Sequence, residues 1–219
     1  MKILAVDTAL GACSVAVLDD ARVLAHRYQV MERGHAEALA PMVKEAMQAS
    51  GISFADLDRL AVTTGPGTFT GQRVGLAFMR GLRVALKKPL VGITTLEAMC
   101  AAAMAEANAS YAAAVHDARR EEAYLAVTSA NGVLIAPEIL PMQDVTGRIA
   151  AAIPQDAAVA VAGTCAEIVA GTVPTAQLTS IRQPDALWVA RLAIMAPAPA
   201  GAPHPLYLRA PDAKLPASA

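Results

Sequence analysis

Lys2-Ile3-Leu4-Ala5-Val6-Asp7 opens the chain as a short apolar segment that ends in a carboxylate. The alternation of apolar and polar residues predicts two further strands, over 12–18 and 22–30. Asp19-Asp20 is typical of the turn between them. These segments together predict an antiparallel meander of three strands.

The same pattern returns in the second half of the chain. A shift of about half the chain length, as expected for an internal duplication, places Ala5-Val6-Asp7 on Val115-His116-Asp117 and Val23-Leu24 on Val133-Leu134. In both halves an acid is predicted to end the first strand, and strand and helix patterns follow the meander. We interpret this as two duplicated lobes of the βββαβα type. The sequence thus predicts an α/β protein with the actin-like architecture, in which a nucleotide sits between two lobes.

The predicted boundaries are a first lobe over 1–108, a second lobe over 109–196, and a proline- and alanine-rich tail over 197–219. The tail is expected to be extended, because prolines alternate with alanines in it. Within the second lobe the pattern predicts helices near 142–153 and 185–195 and a strand over 157–161.

Composition excludes several classes of protein. The 219 residues carry 18 basic and 19 acidic side chains, whereas a dedicated nucleic-acid binder has a strong basic excess. No apolar stretch of about 18 residues is free of charge and proline, so no membrane contact is expected. Cys13, Cys100 and Cys165 lack the spacing of a disulfide framework or a zinc site. The short apolar start is unlike a signal peptide, so we expect a cytoplasmic protein.

Gly65-Pro66-Gly67-Thr68-Phe69-Thr70-Gly71 lies where a predicted strand passes into a predicted helix. A glycine-rich loop at this place can aim backbone amides at an anion, which makes Gly65, Gly67 and Thr68 candidate phosphate ligands. The stretch is neither a Walker loop nor GxGxxG. The alternative is a tight turn followed by close helix packing.

Polar residues at strand ends complete the candidate nucleotide site. Asp7 and Thr8 could hold a metal-bound water and a phosphate, or serve only a turn. Arg119, in a charged turn, could reach the same anion. His35 has Leu39 where a second metal ligand would stand one helical turn later, so no metal site and no catalytic residue are predicted.

Two predicted helices, over 35–50 and 70–87, present apolar faces. Pro41 falls inside the first pattern, so that helix is expected either to be kinked there or to begin there. Methionines and Leu39 on the first are suited to the core or to an exchangeable protein interface. On the second, Arg73, Arg80 and Lys87 recur every seven residues, with Arg83 beside them. This cationic stripe could meet RNA phosphates or an acidic partner, or simply be solvated.

Taken together, these residues resemble one family. The segments Ile3–Thr8 and Cys13–Ala16, His35 before Leu39 and Pro41-Met42, the run Gly65–Ala77, Gly92–Ala98 and Asp117–Tyr124 are similar to the bacterial TsaB (YeaZ) family over nearly the whole chain. The GPGTFTGxRxG run is the most specific of them. Gln72 departs from the leucine usual there.

The resemblance implies a non-catalytic subunit of the complex that makes N6-threonylcarbamoyladenosine (t6A) in tRNAs reading ANN codons. Its implied partners are the catalytic TsaD, the ATPase TsaE, and tRNA through the complex, with a homodimer when the chain is alone. No intrinsic cofactor is implied, although ATP or ADP could bind at a shared site. The implied partner interface is formed by the first two helices, at His35, Leu39, Met42, Val43, Ala46, Thr70, Gly71, Val74, Gly75, Ala77 and Phe78. The alternative is a nucleotide-binding hydrolase or metallopeptidase that acts alone.

Overall fold

The chain forms two five-stranded sheets in the computed structural model, which describes residues 1–209. The first sheet is built from β1 (Lys2–Asp7), β2 (Ala12–Asp19), β3 (Arg22–Val30), β4 (Arg59–Thr63) and β5 (Leu90–Ile93), in the order β3-β2-β1-β4-β5. The first three strands pair antiparallel, as the meander predicts, whereas β1, β4 and β5 run parallel.

The second sheet repeats this topology. It contains β6 (Tyr111–Arg119), β7 (Glu122–Ser129), β8 (Gly132–Pro141), β9 (Val159–Ala162) and β10 (Ala176–Leu178), in the order β10-β9-β6-β7-β8. Here too a meander pairs antiparallel, and β6, β9 and β10 run parallel. The duplicated, actin-like α/β fold predicted from the sequence is confirmed.

Helices cover the two sheets. They are α1 (His35–Ser50), α2 (Phe69–Leu86), α3 (Thr95–Ala107), α4 (Val145–Ala150), α5 (Ala166–Ala170) and α6 (Ala186–Met195), with short 3₁₀ turns at Phe54–Asp56 and Met142–Asp144. Helices α1 and α2 pack on the outer face of the first sheet, and α4 and α5 on the outer face of the second. The remaining two lie between the sheets.

These two central helices are exchanged between the lobes. Helix α3 follows the first sheet in sequence but packs on the alanine-rich face of the second, against β6, β7 and β9. Helix α6 follows the second sheet but packs on the first. At its start, the amide of Ala186 donates to the hydroxyl of Ser14 in β2 at 2.8 Å. Each lobe therefore completes the core of the other.

Some local features differ from the sequence-based expectations. Helix α1 is continuous from His35, with Pro41 inside it on the exposed side. Strand β6 does not end at Asp117 but runs on to Arg119. The predicted helix over 142–153 is a 3₁₀ turn followed by the short α4, and β10 was not predicted. Residues 197–209 contain no helix or strand, and the rest of the predicted tail, 210–219, lies outside the described residues.

Candidate functional site

Asp7 ends β1 with its side chain completely buried. One carboxylate oxygen, Oδ1, accepts hydrogen bonds from the Thr63 hydroxyl at 2.6 Å and from the Ala9 amide at 3.2 Å. The other oxygen, Oδ2, has no hydrogen-bond partner among the described residues. Burial raises the pKa of Asp7 to about 7, against the opposing effect of the two hydrogen bonds.

Thr8 fastens the end of β1 to α2. Its hydroxyl donates to the carbonyl oxygen of Gly71 at 2.7 Å and accepts from the amide of Gly75 at 3.0 Å. Both capacities of this buried hydroxyl are therefore used within the protein. A phosphate would have to displace these contacts in order to bind Thr8.

The glycines of the Gly65–Gly75 stretch allow close backbone approach. A Cβ on Gly67 would lie 2.3 Å from the carbonyl oxygen of Ala9, and a Cβ on Gly71 2.2 Å from that of Thr8. Gly65 itself has a φ of +106°, which favours glycine. Gly67 and Gly71 therefore face the chain's own backbone, and Gly65 faces the side chain of Gln72, rather than open space.

The amides of this loop are also partly engaged. The Thr68 amide donates to the Ala9 carbonyl at 2.8 Å, and the Thr68 hydroxyl caps α2 by accepting from the Gly71 amide at 3.0 Å. Such a loop has the tight-turn and close-packing geometry that was the alternative to a phosphate cradle. Gly67, Thr68 and Gly71 thus contact the chain's own backbone closely, and nucleotide binding by this chain stays a prediction.

Arg119 lies at the tip of the β6–β7 hairpin. Three consecutive residues there, Arg119, Arg120 and Glu121, have φ between +57° and +63°. The Arg119 amide donates to Asp117 Oδ1 at 2.7 Å, and its carbonyl accepts from Arg209 at 3.4 Å. Asp117 is exposed, unlike Asp7, so the two acids of the sequence repeat have different surroundings.

The predicted interface residues of α1 face the core. All five, His35, Leu39, Met42, Val43 and Ala46, are less than 9% exposed. Four of them belong to the apolar cluster beneath α1, and the imidazole Nε2 of His35 lies 3.0 Å from the Leu10 carbonyl oxygen. The surface that α1 offers is formed instead by Ala36, Glu37, Ala40, Pro41, Lys44, Glu45, Gln48 and Ala49.

The predicted interface residues of α2 divide into two groups. Gly71 and Gly75 are buried against the loop after β1. Thr70 and Ala77 are exposed, and Val74 and Phe78 are half-buried. The exposed strip continues through Gly81, where a Cβ would meet nothing within 4 Å, to Val84, which is 73% exposed. An unpartnered strip of small and apolar residues therefore runs along α2.

The segment 203–209 crosses α2, a contact that the sequence patterns did not predict. The Arg73 Nε donates to the Tyr207 hydroxyl at 2.8 Å, and the Arg80 Nε donates to the Pro203 carbonyl at 3.2 Å. The Leu206 amide donates to the Thr64 carbonyl at 2.7 Å. Two arginines of the cationic stripe therefore hold this strap, as we call residues 203–209.

The described residues contain neither a metal-ligand cluster nor a membrane-spanning helix. Within 1–209 there is no group of three histidine, cysteine, aspartate or glutamate side chains placed to hold a metal ion. None of the helices in that range has both the length and the apolar character needed to cross a membrane.

Known proteins match this chain in sequence and structure. Residues 24–177 match the family model described as TsaD, tRNA N6-adenosine threonylcarbamoyltransferase. The tRNA threonylcarbamoyladenosine biosynthesis proteins TsaB of Escherichia coli K12 and of Haemophilus influenzae are 40% and 37% identical over 126 and 124 residues, which is 58% and 57% of this chain. The matched region spans about half of those relatives, 54% and 52% of their lengths.

A solved structure extends the match over nearly all of the chain. YeaZ from Pseudomonas aeruginosa superposes with a TM-score of 0.78 at 31% sequence identity, covering 94% of this chain and 99% of that one. This superposition agrees with the duplicated fold. The chain belongs to the TsaB (YeaZ) family.

Proposed function

We propose that this chain is an accessory subunit in the biosynthesis of t6A in tRNA, which binds and stabilises TsaD and has no turnover of its own. The observation that carries the proposal is the exposed strip of α2, Thr70, Ala77, Gly81, Val84 and Ala85, beside the exposed side of α1. The relatives named for this pathway and the TsaD family model support the choice of partner.

Small side chains make this strip suited to another helix. Glycine and alanine at Ala77, Gly81 and Ala85, one helical turn apart, let a second backbone approach α2 closely. Val84 adds apolar area that is lost from water on contact, and such burial is the main favourable term in association. The strip therefore fits a helical partner better than an extended peptide.

The buried residues of α1 then have a supporting part. Leu39, Val43 and Ala46 fix α1 on the first sheet, so that its opposite side faces outward beside α2. A partner that reaches α1 would contact Ala36, Ala40 and the neighbouring polar residues. Core substitutions such as Leu39→Ala would weaken partner binding indirectly, by destabilising the first lobe.

Further partners follow from the same proposal. TsaE and tRNA would join through the complex with TsaD, and a second copy of this chain could occupy the α1–α2 surface when TsaD is absent. A hydrolase or metallopeptidase that acts alone is the rival, and the chemistry of the site gives it little support. Thr8 is engaged in packing, and Leu39 stands where a second histidine ligand would be needed.

The test is co-purification with TsaD from the same organism, followed by threonylcarbamoyl transfer to tRNA with TsaE and ATP. Gly81→Glu places a charge in the open strip without a steric conflict in the free chain. We expect TsaD binding to weaken at least thirtyfold, as for a central interface position. Gly147→Glu, on the exposed side of α4, is the matched control and should bind normally.

The choice of variant matters here. Gly75→Arg, which on sequence grounds could also disrupt a close helix contact, is not a suitable variant for testing TsaD binding. A Cβ at that position would lie 2.7 Å from the Thr8 hydroxyl oxygen, so Gly75→Arg would disturb the fold. If folded Gly81→Glu binds TsaD normally, α2 is not the interface. If the chain alone turns over substrate, the accessory role itself is wrong.

A further inference from the structure

Helix α2 lies in a stretch of sequence without acidic residues. None occurs between Asp58 and Glu97, whereas Arg73, Arg80, Arg83, Lys87 and Lys88 all do. The chain as a whole is nearly neutral, so this stretch is a local concentration of positive charge. Local concentration, rather than net charge, is what a polyanion meets at a surface.

The cations lie beside the small-residue strip on α2. Val84 of the strip lines one groove with Arg83 and Lys87, whereas Arg83 and Lys87 are turned well away from the line of Ala77, Gly81 and Ala85. Arg73, Arg80 and Lys87 are seven residues apart and therefore share one side, along ~21 Å of helix. Arg80 is rotated by roughly 60° from Ala77, away from Gly81. A helix of TsaD packed along Ala77, Gly81 and Ala85, as proposed above, would therefore leave Arg83 and Lys87 accessible to a second ligand.

These cations are not neutralised within the described chain. Among residues 1–209 no carboxylate forms an ion pair with Arg73, Arg80, Arg83 or Lys87. Near the end of α2 a shallow groove of about 350 Å³ is lined by Arg83, Val84, Lys87, Lys88, Pro89 and Pro199, with no acid. The groove forms the C-terminal half of what we call the α2 cationic track, which runs from Arg73 to Lys88.

An exposed aromatic stack stands at the other end of this track. The rings of Phe69 and Tyr207, which are 54% and 43% exposed, lie 5.8 Å apart at 26°. The guanidinium of Arg73 stacks on Phe69, with its carbon 3.4 Å from the ring centroid. Large rings in water beside cations are the arrangement on which unpaired nucleobases stack, while the cations follow the phosphates.

We propose that the α2 cationic track and the Phe69–Tyr207 stack form an RNA contact for a segment with unpaired bases. This inference rests on the proposed function, because it assumes that the complex works on an RNA. An acidic protein would form ion pairs with the cations, but the exposed aromatic rings beside them would add nothing to that pairing. The aromatic stack therefore favours RNA.

The test measures binding of unmodified tRNA to the purified complex of this chain with TsaD, by fluorescence anisotropy over a series of salt concentrations. Arg83→Gln with Lys87→Gln removes two charges that make no contact with the strap. We expect about tenfold weaker binding at 0.1 M salt, and a salt slope reduced by roughly 1.4, for two lost single-strand phosphate contacts. The matched control is Arg22→Gln with Arg27→Gln, two exposed charges of β3.

A second pair of variants tests the stack. Tyr207→Leu removes the ring, and we expect roughly tenfold weaker binding with an unchanged salt slope, because stacking involves no ion release. Tyr207→Phe keeps the ring and should bind within about twofold of the original chain. A purely structural role of Tyr207 would instead be sensitive to loss of its hydroxyl, which accepts from Arg73.

The outcomes separate this inference from the proposed function. Variants that keep TsaD bound and lose tRNA affinity as described support the RNA contact. Unchanged affinity and slope overturn it and leave the TsaD-binding role intact. Loss of TsaE or TsaD binding with normal tRNA binding also overturns it and assigns the track to an acidic protein. If the chain fails to bind TsaD, the same titration on the chain alone still decides the matter.

Discussion

The two lobes have the same strand order but very different outer helices. In the first lobe α1 and α2 have 16 and 18 residues, whereas the corresponding α4 and α5 have 6 and 5. Both pairs cover the outer face of a five-stranded sheet, and both sheets have a closed apolar core. Short helices are thus sufficient to complete this fold. The extra length in the first lobe produces surface, and this is where the proposed contacts lie.

The lobes differ again at the end of their first strand. Asp7 is completely buried against Thr63, whereas the corresponding Asp117 is exposed and bonded to the backbone of its own hairpin. In the second lobe the buried ionisable group is the preceding residue, His116, whose Nδ1 has no partner among the described residues. Duplication has preserved the backbone topology and not the polar groups within it.

The largest effect is expected at a close glycine–backbone contact that occurs once in each lobe. A Cβ on Gly163, after β9, would lie 2.0 Å from the Val115 carbonyl oxygen, and one on Gly71, in α2, 2.2 Å from that of Thr8. Gly163 also has a φ of +107°. We expect Gly163→Ala to lower the free energy of unfolding by at least about 4 kcal/mol and Gly71→Ala by about 3 kcal/mol, measured by urea denaturation.

Gly201→Ala serves as the control, since a Cβ there meets nothing within 4 Å. The exchange of α3 and α6 between the sheets predicts that each variant unfolds in one transition. If Gly163→Ala melted the second sheet and left the first folded, the two lobes would be independent units, contrary to the shared core described above.

The next largest expected effect is on the free energy of unfolding as a function of pH, which changes in opposite directions for the buried Asp7 and the buried His116. The unfolded chain loses the Asp7 proton near pH 3.8 and the folded chain near 7, so the folded state holds more protons in between. Its contribution to the free energy of unfolding therefore falls as the pH rises through that window, by about 4 kcal/mol. Burial lowers the pKa of His116 from 6.5 to about 4, so its contribution falls as the pH drops through that range, by about 3 kcal/mol.

These two effects oppose one another between pH 4 and 6.5. We expect Asp7→Asn to gain stability relative to the original chain as the pH rises from 4 to 7, and His116→Leu to gain as it falls from 6.5 to 4. The measurement is the free energy of unfolding by chemical denaturation at each pH. Curves that run parallel to that of the original chain would show that these groups do not titrate as their burial requires.

Local patterns were enough to predict the elements that carry strong periodicity. The spacing of Leu39, Val43 and Ala46 predicts a helix over 35–50, because the core selects those positions. The pattern left open whether that helix begins at Pro41, and the structure shows that it begins at His35 with Pro41 on the solvent side. The same spacing cannot tell whether an apolar face meets the chain's own sheet or a partner. Only the contacts with the first sheet decide that the face is core.

Other features had no local signal. Strand β10 has three residues, too few for alternation to be recognised. The bond from Arg73 to Tyr207 joins residues 134 positions apart, and nothing in either neighbourhood indicates the other. The glycine-rich stretch was recognised, but the same residues suit a phosphate cradle and close packing. The close packing of Gly67 and Gly71 on the backbone after β1 could be seen only in the structure.

A smaller effect is expected where the strap reaches the second lobe. The guanidinium of Arg209 donates to the Ala118 carbonyl at 2.9 Å and contacts the Glu122 carboxylate, on either side of the left-handed residues 119–121. We expect Arg209→Ala to cost about 1–2 kcal/mol and to speed hydrogen exchange in 117–124 but not in α2. Arg148→Ala, which removes the exposed pair with Glu138, should cost less than about 1 kcal/mol. Equal exchange in α2 and in the hairpin would mean that the strap acts on the whole fold.

The smallest expected effect is on stability, at two open glycines, one in each lobe. Gly81 in α2 and Gly147 in α4 are helical, and an added Cβ meets nothing within 4 Å at either. Alanine should therefore stabilise both helices by about 1 kcal/mol, because it loses less backbone entropy than glycine. In thermal unfolding both single variants should have raised midpoints.

Partner binding should separate these two variants even though their stabilities agree. A methyl group at Gly81 increases the distance at which another helix can pack on α2, so Gly81→Ala should bind TsaD severalfold more weakly than Gly147→Ala. If Gly81→Ala is more stable and yet binds TsaD less well, misfolding cannot explain the weaker binding. The pair of variants therefore tests whether α2 packs against TsaD. If both variants bind TsaD equally, the length of α2 serves something other than close helix packing, and the cationic side becomes the reason for it.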